Sequence, residues 1–214
     1  MDTRTPPIIE ALVADLRQLA QHRRYLLGIC GPPGAGKSTL ATALCQALNT
    51  LTPQSAVIVP MDGFHLDNAT LLAQGLLPLK GIPTTFDAAG YVALLKSIRA
   101  QFERKSPAAV WCPAFDRRIE STVPNAIQVQ PQHQFVITEG NYLLLDTSPW
   151  DQIRSICDHV WYLDVPLETL YPRLLARHRA GGKDEADAAA KVASTDLPNA
   201  KLVMGSKENA HRLI

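Results

Sequence analysis

The apolar positions of this 214-residue chain fall into two recurring patterns. Short continuous runs at Tyr25–Cys30, Ala56–Met61, Ala109–Cys112, Phe135–Thr138 and His159–Leu163 read as strands buried on both faces, because such strands lack polar alternation. Between them lie segments with apolar residues three or four apart. These are Ser38–Leu48, with Leu40, Leu44 and Leu48 on one face, then Tyr91–Phe102 and Leu167–Arg177. Ile8, Leu12, Leu16 and Leu19 follow Pro6 and Pro7 at the same spacing and predict an amphipathic helix within 1–24 that packs on the domain. The same helix could instead regulate the chain or pair it into a homodimer. The alternation predicts an α/β fold, a doubly wound, mainly parallel five-stranded sheet, in one domain spanning 1–214.

Two segments break the alternation. Residues 116–132 contain Pro124, Pro131 and the alternating Ile127-Gln128-Val129, and predict a hairpin or flap instead of another βα unit. Within 171–195, Gly181-Gly182 and the polar run from Lys183 to Asp187 read either as the tip of a helical lid or as a solvated helix–helix loop.

The first strand-to-helix junction has a sharper signature. Gly31, Pro32, Pro33, Gly34, Ala35, Gly36, Lys37 and Ser38 satisfy G-x-x-x-x-G-K-[S/T], a phosphate-cradling P-loop, with the required strand before it and helix after it. The glycines let inward N–H groups surround phosphate, and the helix N-terminus adds a positive dipole end. Lys37 would reach the β- and γ-phosphates, Ser38 would hold Mg²⁺, and Thr39 follows within the nucleotide site. ATP and Mg²⁺ are therefore the expected cofactors.

With 21 Lys and Arg against 20 Asp and Glu, the formal charge is only +1. That balance favours a small-molecule partner over nucleic acid or a membrane surface. No run approaches the roughly 20 apolar residues that span a bilayer, and the first residues lack an apolar signal core. Cys30, Cys45, Cys112 and Cys157 are widely spaced, without zinc-ligand spacing. These features point to a reduced, cytoplasmic protein.

Phosphoryl transfer needs a metal, cations around the phosphates and a carboxylate to receive the acceptor's proton. In doubly wound sheets ligands bind beyond the carboxyl ends of the strands, which singles out Asp62 and Glu139. Asp62 reads as a catalytic base or as a turn aspartate, and Glu139 as a Mg²⁺-positioning acid or as a strand-end charge. Arg173 and Arg177, one helical turn apart, would close over the transferring phosphoryl group or form a solvated basic face shared with Arg179. His65 and Asp67 line an acceptor pocket or form a loop pair; Asp116 and Arg117 bind acceptor or pair with each other.

The P-loop, Met61-Asp62-Gly63-Phe64-His65, the Lys80–Asp87 segment, Pro113–Asp116, Glu139-Gly140-Asn141 and the arginine segment recur in one order. Together they resemble the phosphoribulokinase/uridine kinase/bacterial pantothenate kinase superfamily from about Leu26 to Arg179. Met61–Asn68 and Asp196–Val203 look like its small bacterial branch of sugar or nucleoside kinase-like proteins, some labelled fructose transport system kinases. The resemblance implies that Asp62 activates an acceptor hydroxyl, Asp87 hydrogen-bonds substrate hydroxyls and Glu139 is the Walker B acid. It also implies that Arg173 and Arg177 are lid arginines, that Lys80 meets substrate, and that Asp196–Val203 lies near the base. Glu120 stands where uridine kinases carry a histidine, so the resemblance stops short of uracil recognition. The expected activity is ATP-dependent phosphorylation of a hydroxyl on a small sugar, polyol, sugar acid or nucleoside. An acceptor-free ATPase or a nucleotide switch is the alternative; Asp87-Ala88-Ala89-Gly90 fits D-x-x-G, but no N-K-x-D exists to read guanine.

Overall fold

The computed structural model of the protein describes residues 6–105 and 107–214, so the first five positions of the 1–24 segment lie outside the described residues. In chain order come α1 (Pro7–Ala20), β1 (Tyr25–Cys30), α2 (Lys37–Leu51) and β2 (Ala56–Pro60), followed by a 3₁₀ turn at Met61–Phe64. Next are α3 (Asn68–Ala73), α4 (Ala88–Arg104), β3 (Val110–Asp116), β4 (Ser121–Val129) and β5 (Phe135–Gly140). The chain continues through α5 (Ile153–Ile156), β6 (His159–Tyr162), α6 (Leu167–Ala180) and α7 (Glu185–Lys191). A π-helical turn at Val192–Asp196 leads into α8 (Leu197–Met204), and β7 (Arg212–Leu213) ends the chain.

The main sheet has the order β2-β5-β1-β6-β7 with every pairing parallel, as the alternation of runs and helices predicts. One strand is not where the apolar run suggested. Val110–Cys112 belongs to β3, which pairs antiparallel with β4 in a separate two-stranded ribbon, and β7 takes the fifth place in the sheet. The reason is visible at Trp111, which is 53% exposed between half-buried Val110 and buried Cys112, a half-solvated ribbon's alternation.

β1 and β5 are buried along their whole length, and their side chains alternate between two cores. Leu26 and Cys30 join Tyr91, Leu95 and Ile98 of α4 on one face. Tyr25, Leu27 and Ile29 join α1, α2 and α6 on the other. Covering both faces is what keeps a parallel sheet's strands continuously apolar. The stripe α1 buries is Ile9, Leu12, Val13, Leu16 and Ala20; Ile8 and Leu19 of the expected stripe face outward, so the helix is rotated by part of a turn.

A polar clamp fixes the N-terminal ends of the central strands. Asp158, just before β6, accepts from the Leu26 amide at 2.7 Å, from Arg99 Nη2 at 2.9 Å and from Arg23 Nη1 at 2.8 Å. Burial alone would raise its carboxyl, but these hydrogen bonds and the Arg99 charge hold it below the usual carboxylate range.

Candidate active site

At the carboxyl end of β1 the chain turns through Gly34 and Gly36, whose φ values of +81° and +100° are left-handed. A side chain at Gly36 would meet no neighbour, so the backbone conformation alone requires glycine there. The turn delivers Lys37 into the protein, where its Nζ donates to Pro32 O at 3.0 Å and to Asn141 Oδ1 at 2.6 Å. Burial lowers the Lys37 pKa, while Glu139 opposes that shift. Ser38 Oγ donates to Glu139 Oε1 at 3.0 Å, so the P-loop hydroxyl and the last acid of β5 form one oxygen-rich pole. Burial pushes the Glu139 carboxyl up, and Lys37 draws it back. Thr39 is exposed one residue further along α2. Asn141 was not singled out from the sequence; its only signal was its place in Glu139-Gly140-Asn141.

The carboxyl end of β2 carries Asp62 into a cleft of about 770 Å³ bounded by Pro33, Lys80, Phe115, Arg177 and Asn199. Asp62 Oδ2 accepts from Arg117 Nη2 at 2.8 Å, an ion pair reaching across from the turn of the β3–β4 ribbon. Its Oδ1 has no hydrogen bond among the described residues. The charge of Asp62 acts on Lys37 and Glu139 on one side and on His65 on the other. His65 lies between the rings of Phe86 and Phe115, at 4.1 and 4.7 Å between centroids, and burial lowers its pKa. Its Nδ1–H donates to Asp62 O at 2.9 Å, since a carbonyl only accepts, which leaves Nε2 without a partner among the described residues.

Other expected residues are distributed differently. Asp116 pairs with Arg118 at 2.7 Å, which holds its carboxyl near a pKa of about 2, and Arg117 pairs with Asp62; the anticipated Asp116–Arg117 pair does not form. Asp87 is the N-cap of α4, accepting from Gly90 N at 2.8 Å, and does not line the cleft. Asp67 likewise caps α3 through Thr70. Lys80 Nζ donates to Asn68 Oδ1 and to Glu120 O, 5.1 Å from the Phe115 centroid.

The helical segment after β6 closes the cleft. Arg173 Nη1 donates to Gly34 O at 3.4 Å and so touches the P-loop, whereas Arg177 lines the cleft and Arg179 lies 3.8 Å from Glu185 at the surface. Buried Asp196, in the π-helical turn, accepts from Arg177 at 3.2 Å and from His178 Nε2 at 2.6 Å. Asn199 Nδ2 donates to Gly81 O, which also accepts from Tyr142 OH. The Asp196–Val203 segment, expected at the base, thus contributes Asp196 and Asn199 to the cleft beside the Lys80–Gly81 loop.

Comparison with known proteins places this geometry. No protein-family model matches the chain. It is 37% identical over 210 residues to the uncharacterised Escherichia coli protein YggC, covering 97% of this chain and 84% of that one. A Schizosaccharomyces pombe protein provisionally named a uridine kinase is 33% identical over 192 residues, covering 86% of this chain and 80% of that one. Among solved structures, a protein from Silicibacter sp. provisionally named a fructose transport system kinase aligns with a TM-score of 0.84 at 35% identity, covering 96% and 98% of the two chains. Relatives of this identity and coverage, sharing a P-loop at the end of a parallel β1, show that the chain belongs to the phosphoribulokinase/uridine kinase/pantothenate kinase superfamily and is an ATP-dependent small-molecule kinase.

Proposed function

We propose that the protein transfers the γ-phosphoryl group of ATP to a hydroxyl of a small sugar, polyol, sugar acid or nucleoside, with Asp62 as the base. The observation that carries this reading is the Asp62 carboxylate: one oxygen is held by Arg117, and the other has no hydrogen bond among the described residues, in a cleft that continues to the P-loop. In the transfer the acceptor oxygen forms a bond to Pγ, the bond from Pγ to the bridging oxygen of ADP breaks, and the acceptor proton passes to Asp62. Lys37, Arg173 and Arg177 offset charge on the phosphoryl oxygens. Relatives are provisionally named a uridine kinase and a fructose transport system kinase, and uridine and fructose both carry hydroxyl groups.

Ser38 and Glu139 fit a magnesium ion: a hydroxyl and a carboxylate already 3.0 Å apart supply the hard oxygen ligands Mg²⁺ prefers. Among the described residues no group of three or more His, Cys, Asp or Glu forms a metal cage, which suits an ion sharing its shell with phosphate and water. Held by Ser38 and Glu139, such an ion would offset negative charge on the phosphates. The chain's own part is to position both ends of the reaction and to exclude water by closing the Arg173–Asn199 region over it.

The test is ADP release from MgATP across sugars, polyols, sugar acids and nucleosides, with mass spectrometry of the acceptor. Asp62→Asn is expected to retain ATP binding and to lose about 10²- to 10⁴-fold in acceptor-dependent turnover. Unchanged phosphoryl transfer in that variant would remove Asp62 from the mechanism.

A further inference from the structure

The charges lining the cleft are unbalanced in one place. Six cations, Lys80, Arg117, Arg118, Arg177, Lys183 and Lys191, face three carboxylates, Asp62, Glu120 and Asp196, in a chain whose overall charge is only +1. Arg117 and Arg177 are paired with Asp62 and Asp196, and Arg118 with Asp116. Among the described residues Lys80, Lys183 and Lys191 have no carboxylate partner. Neutral oxygens hold two of them instead: Lys80 Nζ donates to Asn68 Oδ1 at 2.8 Å and to Glu120 O at 3.2 Å, and Lys191 Nζ to Pro78 O at 3.1 Å and Lys80 O at 3.2 Å. An ammonium has three donors, so each keeps one N–H free while its position is fixed.

These lysines stand apart from the nucleotide end. The P-loop already has Lys37, and Arg173 reaches it at Gly34 O. Lys80 is anchored instead to Asn68, to the ribbon turn and over Phe115, and Lys191 to the backbone of Lys80 itself. Asp62 lines the same cleft as Lys80 and Lys191, and its charge acts both on the P-loop Lys37 and on His65, where the charge of Lys80 also acts. Lys191 is half-buried; burial lowers its pKa, the charge of Asp196 partly offsets that, and the charge of Lys183 adds to the lowering. Gathering more cations than carboxylates costs stability, and an anion bound among them would recover it.

We propose that the phosphate acceptor is itself an anion, a small polyol bearing a carboxylate or phosphate group, whose negative end is held by Lys80 and Lys191 while its hydroxyl meets Asp62. Lys183 adds longer-range attraction from the edge of the cleft. Because Lys80 precedes the Gly81 loop and Lys191 belongs to α7, the bound anion also ties the helical segment to the acceptor loop. This assignment narrows the kinase reading above and rests on it.

The experiment is ADP release with acceptors matched in all but charge: glycerate against glycerol, gluconate against sorbitol, and ribose 5-phosphate against ribose. The charged member of at least one pair should exceed its neutral partner in kcat/KM by about tenfold or more, as a charge-assisted hydrogen bond provides. The carboxylate and phosphate arms then identify the anion. Lys80→Gln and Lys191→Gln should raise KM for that acceptor by about tenfold, mostly sparing kcat, and Lys191→Arg should restore part of the loss. A neutral compound matching its charged partner in every pair, or glutamine variants that keep the wild-type charge preference, would overturn the proposal.

Thermal unfolding in the presence of ADP and each compound provides a readout independent of turnover. A rise in Tm with a charged compound that both glutamine variants lose supports the anion site, and no rise with any of the anions tested, with no charge preference in turnover, overturns it. Asp62→Asn separates the two readings. Retained transfer in that variant removes the base and leaves the anion site standing; neutral acceptors turned over through Asp62 remove the anion site and leave the kinase standing.

Discussion

Gly63→Ala is expected to damage activity through the backbone behind Asp62. A methyl at position 63 would lie 2.5 Å from Pro113 O and 2.9 Å from Pro113 C, both backbone atoms of β3. An ordinary C···O contact is about 3.3 Å, so the ribbon and the Met61–Phe64 turn must separate by roughly 0.8 Å. That ribbon carries Phe115 against His65 and Arg117 against Asp62. Passed on to Arg117, the shift would stretch its 2.8 Å bond to Asp62 beyond hydrogen-bonding distance. The overpacking should cost about 1–3 kcal/mol in urea unfolding, and the misplacement of Asp62 should lower acceptor-dependent kcat/KM by about 10²-fold. Gly90→Ala is the control. There the methyl would strike the Asp87 carboxylate, disturbing the α4 cap outside the cleft, with an expected loss of about 1 kcal/mol and little change in kinetics. Wild-type kinetics in Gly63→Ala would refute the claim that ribbon contact sets the geometry at Asp62. A large kinetic loss in Gly90→Ala would return Asp87 to the acceptor site.

Lys37→Ala should abolish productive ATP turnover, and wild-type turnover would exclude the P-loop as the phosphate site. Because burial raises the Glu139 pKa above its ordinary value of 4.5, kcat/KM for MgATP should fall on the acid side through an apparent pKa above 4.5, as protonated Glu139 ceases to hold Mg²⁺. A limb at or below 4.5 would show that burial does not govern this carboxyl. Asp158→Ala should destabilise the fold by about 3 kcal/mol at neutral pH, the low end for a broken buried pair because Arg23 is exposed. The folded pKa of Asp158 is depressed, so its contribution is complete above the unfolded value of about 3.9 and is lost as pH falls through the folded value. The difference in unfolding free energy between wild type and variant should therefore shrink in acid; a constant difference would contradict the clamp.

The parallel sheet and the P-loop were legible in the sequence because their signals are local: an apolar run, a glycine spacing and a helix period all lie within one element. The two-residue β7 is shorter than any periodic pattern, so only its pairing with Trp161 and Tyr162 defines it. The ribbon was partly legible, since Ile127-Gln128-Val129 alternates as β4 does. The Ala109–Cys112 run is strand from Val110 onward, as expected, but not in the main sheet, because four apolar residues in a row give no hint that Trp111 faces water. The misassigned ion pair is more instructive. Asp116 closes β3 and accepts from the Arg118 amide at 2.9 Å as well as from its guanidinium, a local turn that carries Arg118 back onto the strand end. Arg117, between them, is left facing across the cleft to Asp62, 55 positions away in the chain. Adjacent opposite charges suggest a pair in sequence, but the strand ends at Asp116 and Arg117 opens the ribbon turn, which carries it to Asp62 instead. The same geometry that denies Asp116 its neighbour supplies Asp62 with the guanidinium that holds one of its oxygens, while the other has no hydrogen bond among the described residues. Residue type and order alone could identify Asp62 as a candidate base. Its orientation depends on the ribbon turn, and the charge of what it would activate depends on lysines brought together from the acceptor loop and α7.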